Sequence, residues 1–103
     1  MTIFFYITSK NTLEANKIAK ALLKDKLIAC ANVYKNIDSF FNWKNKVVKS
    51  KEVIIMGKTK KSNQSKIIKK VKKIHSYDIP CVIFSKITGG NRDFLKWVIN
   101  TSK

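Results

Sequence analysis

Pro80 is the only proline in the chain, and it stands where one periodicity gives way to another. Lysines and aliphatics repeat at helical spacing before it, and a short unbroken apolar run, Cys81-Val82-Ile83-Phe84, follows. Proline has no N–H and biases Ile79 away from helical geometry, so a helix from Ser62 must stop before Pro80 and a strand must begin there. The same stretch, His75-Ser76-Tyr77-Asp78-Ile79-Pro80-Cys81, contains the only histidine and one of the two cysteines. Punctuation and ligand-type side chains coincide.

The remaining elements follow from pattern. Thr2 to Thr8 is apolar on both alternating sides, Ile3, Phe5 and Ile7 on one and Phe4 and Tyr6 on the other, as in a strand buried on both faces. Asn11 with Glu14 three residues on predicts a capped helix, with Ala15, Ile18, Ala19 and Leu22 on its apolar side and an end near Lys26. Ile28 to Trp43 reads as a long extended segment, and the polar pairs Lys35-Asn36 and Asp38-Ser39 predict a bulge or bend within it. Asn45 tolerates a positive φ, so Trp43 to Val47 reads as a hairpin turn and Val47 to Thr59 as the return strand.

In the next helix Ile67, Val71 and Ile74 form an apolar stripe, with Ser62 as its cap and lysines outside. After Gly89-Gly90, Asn91 caps a last helix whose buried side is Phe94, Trp97 and Val98. Strand, helix, strand, strand, helix, strand, helix is the order of one α+β domain over residues 1–103. It predicts a ferredoxin-like antiparallel sheet with helices on one face, a long hairpin of the second and third strands, and an extra C-terminal helix. First and last strands with two apolar faces leave the bare side of such a sheet in need of cover, which predicts an oligomer.

The formal charge of +16 suggests a nucleic-acid partner, but 22 basic residues include one arginine, Arg92. Without the guanidinium fork that reads guanine and clamps phosphate, no specific nucleic-acid recognition is expected. No apolar run approaches the roughly 20 residues of a spanning helix, and the first residues lack a basic leader, so a cytoplasmic location with reduced thiols and no membrane partner is expected. There is no His-Asp-Ser set, no phosphate-cradling glycine loop and no paired carboxylates, so the chain is not expected to be an enzyme. His75 is the leading metal candidate, since imidazole is the commonest transition-metal ligand, and Cys81 lies six positions on, across a turn. A helix C-terminal histidine bonded to the last carbonyls is the plain structural alternative.

Ala29-Cys30-Ala31-Asn32, Phe41 to Val47, Lys58-Thr59, His75 to Pro80 and Gly90 to Trp97 follow one another as in the CutA divalent-cation tolerance proteins, which the chain resembles over nearly its whole length. The resemblance implies a ferredoxin-like homotrimer in which ribbons from three subunits pair around a threefold axis, linked to tolerance of copper and other divalent ions. It adds Cys30 as a thiolate candidate beside His75 and Cys81, with small buried hydrophobe as the competing role. Here Ser76 and Cys81 replace a proline and an acid common in the family, Asn45 replaces a turn glycine, and Ile7 stands where some members carry a metal-linked cysteine. Exchanging an acid for a thiol shifts preference towards soft ions such as Cu(I). The implied likeness to PII signal-transduction trimers gives a second reading, in which Asn32, Lys58 and Tyr77 line an intersubunit cleft for a small anion and the trimer signals to a protein partner.

Overall fold

The computed structural model describes all of residues 1–103. Its elements are β1 (Thr2–Ser9), α1 (Thr12–Lys24), β2 (Cys30–Trp43), β3 (Lys46–Lys60), α2 (Gln64–Ile74), β4 (Val82–Lys86) and α3 (Arg92–Thr101), with a 3-10 turn at Lys61–Asn63. The strands form one antiparallel sheet in the order β2-β3-β1-β4, the expected ferredoxin-like topology.

Strand alternation sorts the sheet into two faces. Ile3, Phe5 and Ile7 of β1 and Val53 and Ile55 of β3 point to the covered face, where Ala15, Ile18 and Leu22 of α1 and Ile67 and Val71 of α2 complete the core. Gly57 belongs to this face as well. A Cβ there would run into the Cys30 carbonyl and come within 2.6 Å of the Phe5 ring, so the position has room only for glycine. The other face, carrying Phe4, Tyr34 and Ile83 at 38%, 49% and 56% exposure, has no cover within one chain. Within one chain, helices cover only one face of β1, and Phe4 and Tyr6 on its other face have no helix over them.

The long hairpin forms as expected. Lys44 and Asn45 have φ of 51° and 64° between the paired residues Trp43 and Lys46, a two-residue loop with both central residues left-handed. The expected irregularity is a bulge between Tyr34 and Ile37, opposite Ile54 and Glu52, with Asn36 at φ 59°. β1 pairs only with Val53–Lys60, so the ribbon of residues 37–52 runs on unflanked and stretches the molecule to 45 Å in its long dimension.

Two details of the helices differ from expectation. Ser62 does not cap α2: it lies in the 3-10 turn, and Asn63, next in line, donates its side-chain amide to the Leu27 carbonyl (3.1 Å) instead. α2 does stop before Pro80 as expected: its last residue is Ile74, and His75 leaves helical geometry with its ring bonded to β1. Phe94 and Trp97 are not the buried side of α3. Val98 is, and the two aromatics remain 38% and 45% exposed beside the open face.

Candidate functional site

The stretch 75–81 is held by a carboxylate that the sequence marks only as a cap partner. Asn11 does cap α1, its Oδ1 accepting from the Glu14 N–H at 2.8 Å. The Glu14 side chain does not complete a reciprocal box. Its Oε1 accepts from the Ser9 hydroxyl (2.8 Å) and the Lys10 N–H (3.3 Å), and its Oε2 from the Ser76 N–H (2.9 Å). Burial alone would raise its pKa, but the Ser76 side chain together with these donors outweighs burial and lowers it to about 2. The carboxylate thus ties the end of β1, the start of α1 and the loop after α2 to one point.

His75 is locked beside it. One ring nitrogen, Nε2, lies 2.7 Å from the Thr8 carbonyl oxygen, and the other, Nδ1, accepts the Tyr77 N–H at 3.1 Å, which assigns the ring proton to Nε2. The imidazole is fully buried, and Glu14 Oε1 stands 4.0 Å from Nδ1, beyond hydrogen-bond reach. With both nitrogens engaged, the ring offers no free lone pair to a metal. The ring is bonded to β1, not to the last carbonyls of α2 as the structural alternative had it.

The other five candidate residues lie on or beside the open face. Register puts Cys30, Asn32, Lys58, Phe4 and Tyr6 there, with Cys81 at the mouth of β4 next to Tyr6 and Thr8. Lys58 Nζ is 3.4 Å from Asn32 Oδ1 and 5.9 Å from the Phe94 ring centre. Tyr77 is not with them: its hydroxyl donates to Glu52 Oε2 at 2.8 Å, six residues along β3 from Lys58, or roughly 20 Å. Within one chain, the residues expected to line an intersubunit anion cleft therefore fall at two ends of the sheet. The thiols are separated as well. Three strands sideways and four residues along, Cys30 and Cys81 are roughly 20 Å apart in one chain. Both are free, and no three His, Cys, Asp or Glu side chains converge within one chain as a metal cage.

Where the ribbon leaves the sheet there is a cleft of about 800 Å³. Tyr6 and Glu52 form its floor, Phe41 and Trp43 of the ribbon one wall, and Tyr77 and Cys81 the other. The bulge makes this wall. By inserting one residue it re-phases β2, so that Ile37, Ser39, Phe41 and Trp43 share the face of Glu52, whereas before it Asn32 and Tyr34 did. Three groups around Glu52 hold their protons more tightly than usual: Tyr77, through burial and its bond to Glu52; Cys81, through burial and then Glu52; and Tyr6, through burial, then Cys81 and Glu52. Glu52 belongs to no motif and was not among the residues expected at a site. Its scarcity value, one of six acids in a chain of 22 basic residues, was the available signal.

Comparison with known proteins agrees with this architecture. Residues 3–101 match the family model described as CutA1 divalent ion tolerance protein. The chain is 39% identical to the divalent-cation tolerance protein CutA of Archaeoglobus fulgidus, over 95% of both chains, and 36% identical to that of Pyrococcus horikoshii, over 98% of both. Among solved structures it is similar to the divalent cation tolerance protein Cut A1 of Thermus thermophilus (TM-score 0.97, 31% identity, 100% of both chains). It is similar also to the Archaeoglobus protein, there described as periplasmic (TM-score 0.94, 39% identity, 98% of both chains). With a match across nearly the whole length in sequence and in fold, the chain belongs to the CutA1 divalent ion tolerance protein family.

Proposed function

We propose that the protein is a non-catalytic divalent-cation tolerance protein, a cytoplasmic homotrimer that binds copper or a related ion through its thiols. The observation that carries the reading is that both cysteines of a ligand-poor chain lie on the sheet face that a single copy leaves uncovered. Family membership supports the tolerance role. Exposed Phe4, Tyr34 and Ile83 on that face, and a two-stranded ribbon too slender to be stable alone, support burial against further copies. Two unpaired thiols fit a reducing compartment.

In this reading Cys81, with Glu52 nearby, and Cys30 supply the first ligands, and symmetry-related copies supply the rest. His75 joins only by surrendering its bond to Thr8 or to Tyr77. Because burial and Glu52 hold the Cys81 proton, metal must displace it, so affinity falls as the pH is lowered. Cu(I) titrated into reduced protein, with light scattering on the same sample, tests both halves. Saturable binding by a trimer, lost in Cys30→Ser/Cys81→Ser, is expected. Binding that ignores both thiols removes the metal site, and a single copy at micromolar concentration removes the assembly.

A further inference from the structure

We propose that the outer surface of α1 and α2 is a docking surface for a linear phosphate polymer without bases, inorganic polyphosphate in its simplest form. Both helices pack on the covered side of the sheet, so their outer surface lies opposite the face that further copies would bury and stays outward when they do. Such a role goes beyond metal tolerance and uses neither thiol.

Charge is not spread evenly over the chain. α2 has five lysines and no acid in its 11 residues. Of these, Lys66, Lys69, Lys72 and Lys73 are exposed, as are Lys17, Lys20 and Lys24 on α1. They recur three or four residues apart, so along each helix one ammonium group follows the next roughly every 5 Å with no carboxylate between them. Like charges at that spacing destabilise a helix, and acids interleaved with them would have relieved it. The acids of this chain are engaged or elsewhere. Glu14 is buried and held by Ser9 and Ser76, Asp25 is paired with Lys70 at 3.1 Å, and Asp38, Glu52, Asp78 and Asp93 lie outside α1 and α2. The helix layer is thus a positive surface with no neutralising group of its own, and a polyanion laid on it gains by releasing the small ions that screen both partners.

The residue types of the layer narrow the partner. Neither helix contains an aromatic residue or an arginine. Bases would find no ring to stack on and no guanidinium fork to read them, so a nucleic acid would be held by its phosphates alone, with its bases contributing nothing. Lysine meets phosphate as a compact point charge that needs no bidentate geometry, which suits a flexible chain of charges. A bilayer is the poorer partner, because it calls for apolar side chains at the headgroup boundary. The exposed residues of α2 are Ser65 and lysines, and the exposed leucines of α1, Leu13 and Leu23, stand about 15 Å apart at its two ends. An acidic peptide would likewise look for a central apolar anchor, and the layer has none.

Fluorescence anisotropy of end-labelled polyphosphate, titrated with the full-length protein at about 150 mM salt, sets this surface against net charge alone. Lys66→Gln/Lys69→Gln/Lys73→Gln removes three charges from the layer, and Lys35→Gln/Lys86→Gln/Lys96→Gln removes as many exposed charges away from it. Saturable binding is expected, weakened about tenfold or more by the first triple variant and less than about twofold by the second, with the slope of log affinity against log salt shallower by about two units in the first only. Glutamine suits a helix about as well as lysine and relieves the repulsion, so the melting temperature of the first variant should hold or rise, and its lost binding then reports the charges and not the fold. Equal weakening by the two triple variants, binding that vanishes at about 150 mM salt, or equally tight binding of polyglutamate or of a single-stranded oligonucleotide of matched charge would each overturn the proposal. The copper titration stands apart from all of these outcomes, since Cys30 and Cys81 are intact in every variant.

Discussion

At the scale of single residues, Glu14 carries the most. A buried carboxylate in a lysine-rich chain would ordinarily be paired with a cation, but this one is held by the Ser9 hydroxyl and by the Lys10 and Ser76 N–H groups. Since its pKa falls on folding to about 2, the stability it contributes is fully present above the ordinary carboxylate range. That stability is lost as the pH falls from about 5 towards 2, and amounts to about 3 kcal/mol. Urea melts across this range should show the loss in the wild type, while Glu14→Gln should be less stable at neutral pH by about 2 kcal/mol and nearly flat in acid. A variant that keeps the wild-type acid slope would locate the titration elsewhere. The sequence identified Glu14 through the spacing to Asn11 but not its true partners, because Ser76 is 62 residues away and spacing reports only local neighbours. His75 shows the same limit. Its type and position pointed to metal, and its two hydrogen bonds became visible only once Thr8 and Tyr77 were placed around it.

At the scale of elements, the ribbon decides what the molecule offers beyond a common fold. Its turn uses Lys44 and Asn45 at left-handed φ, a conformation that suits Asn and Gly far better than Lys. The double change Lys44→Asn, Asn45→Gly should therefore raise the melting temperature, by the equivalent of about 1 kcal/mol, without altering the sheet. A lowered melting temperature would mean that Lys44 makes contacts across an interface. The bulge at Asn36 was legible as a break in alternation. That it turns Phe41 and Trp43 to the side of Glu52 was not, since the consequence depends on which of two faces the preceding strand already uses. α1 ends on the same principle as the turn: Lys26 at φ 57° follows the helix, with the Leu27 N–H bonded to the Leu22 carbonyl at 3.0 Å, where a glycine signal would have been expected.

At the scale of the whole molecule, charge and shape pull in different directions. A formal +16 on 103 residues repels itself, and copies brought together repel further, so apolar burial has to outweigh that cost. Raising the salt concentration from about 10 mM to 150 mM shortens the screening length from about 30 Å to about 8 Å. The melting temperature and the fraction assembled should both rise with salt, as thermal melts and light scattering would register. Stability insensitive to salt would show that the lysines are too well solvated and too far apart to matter. The same salt series distinguishes adventitious polyanion binding, which should vanish as the ions are added.

The sequence by itself determined the order of elements, the covered faces of α1 and α2, the overlong hairpin and the family, because these depend on periodicity, caps and local motifs that a chain carries in its own neighbourhood. Only the tertiary structure decided that His75 is sealed against β1, that the two thiols stand apart, and that Glu52 meets the Tyr77 hydroxyl. Those facts depend on register and on faces brought together over long separations in sequence, and side-chain type alone does not encode which groups a folded sheet will place side by side.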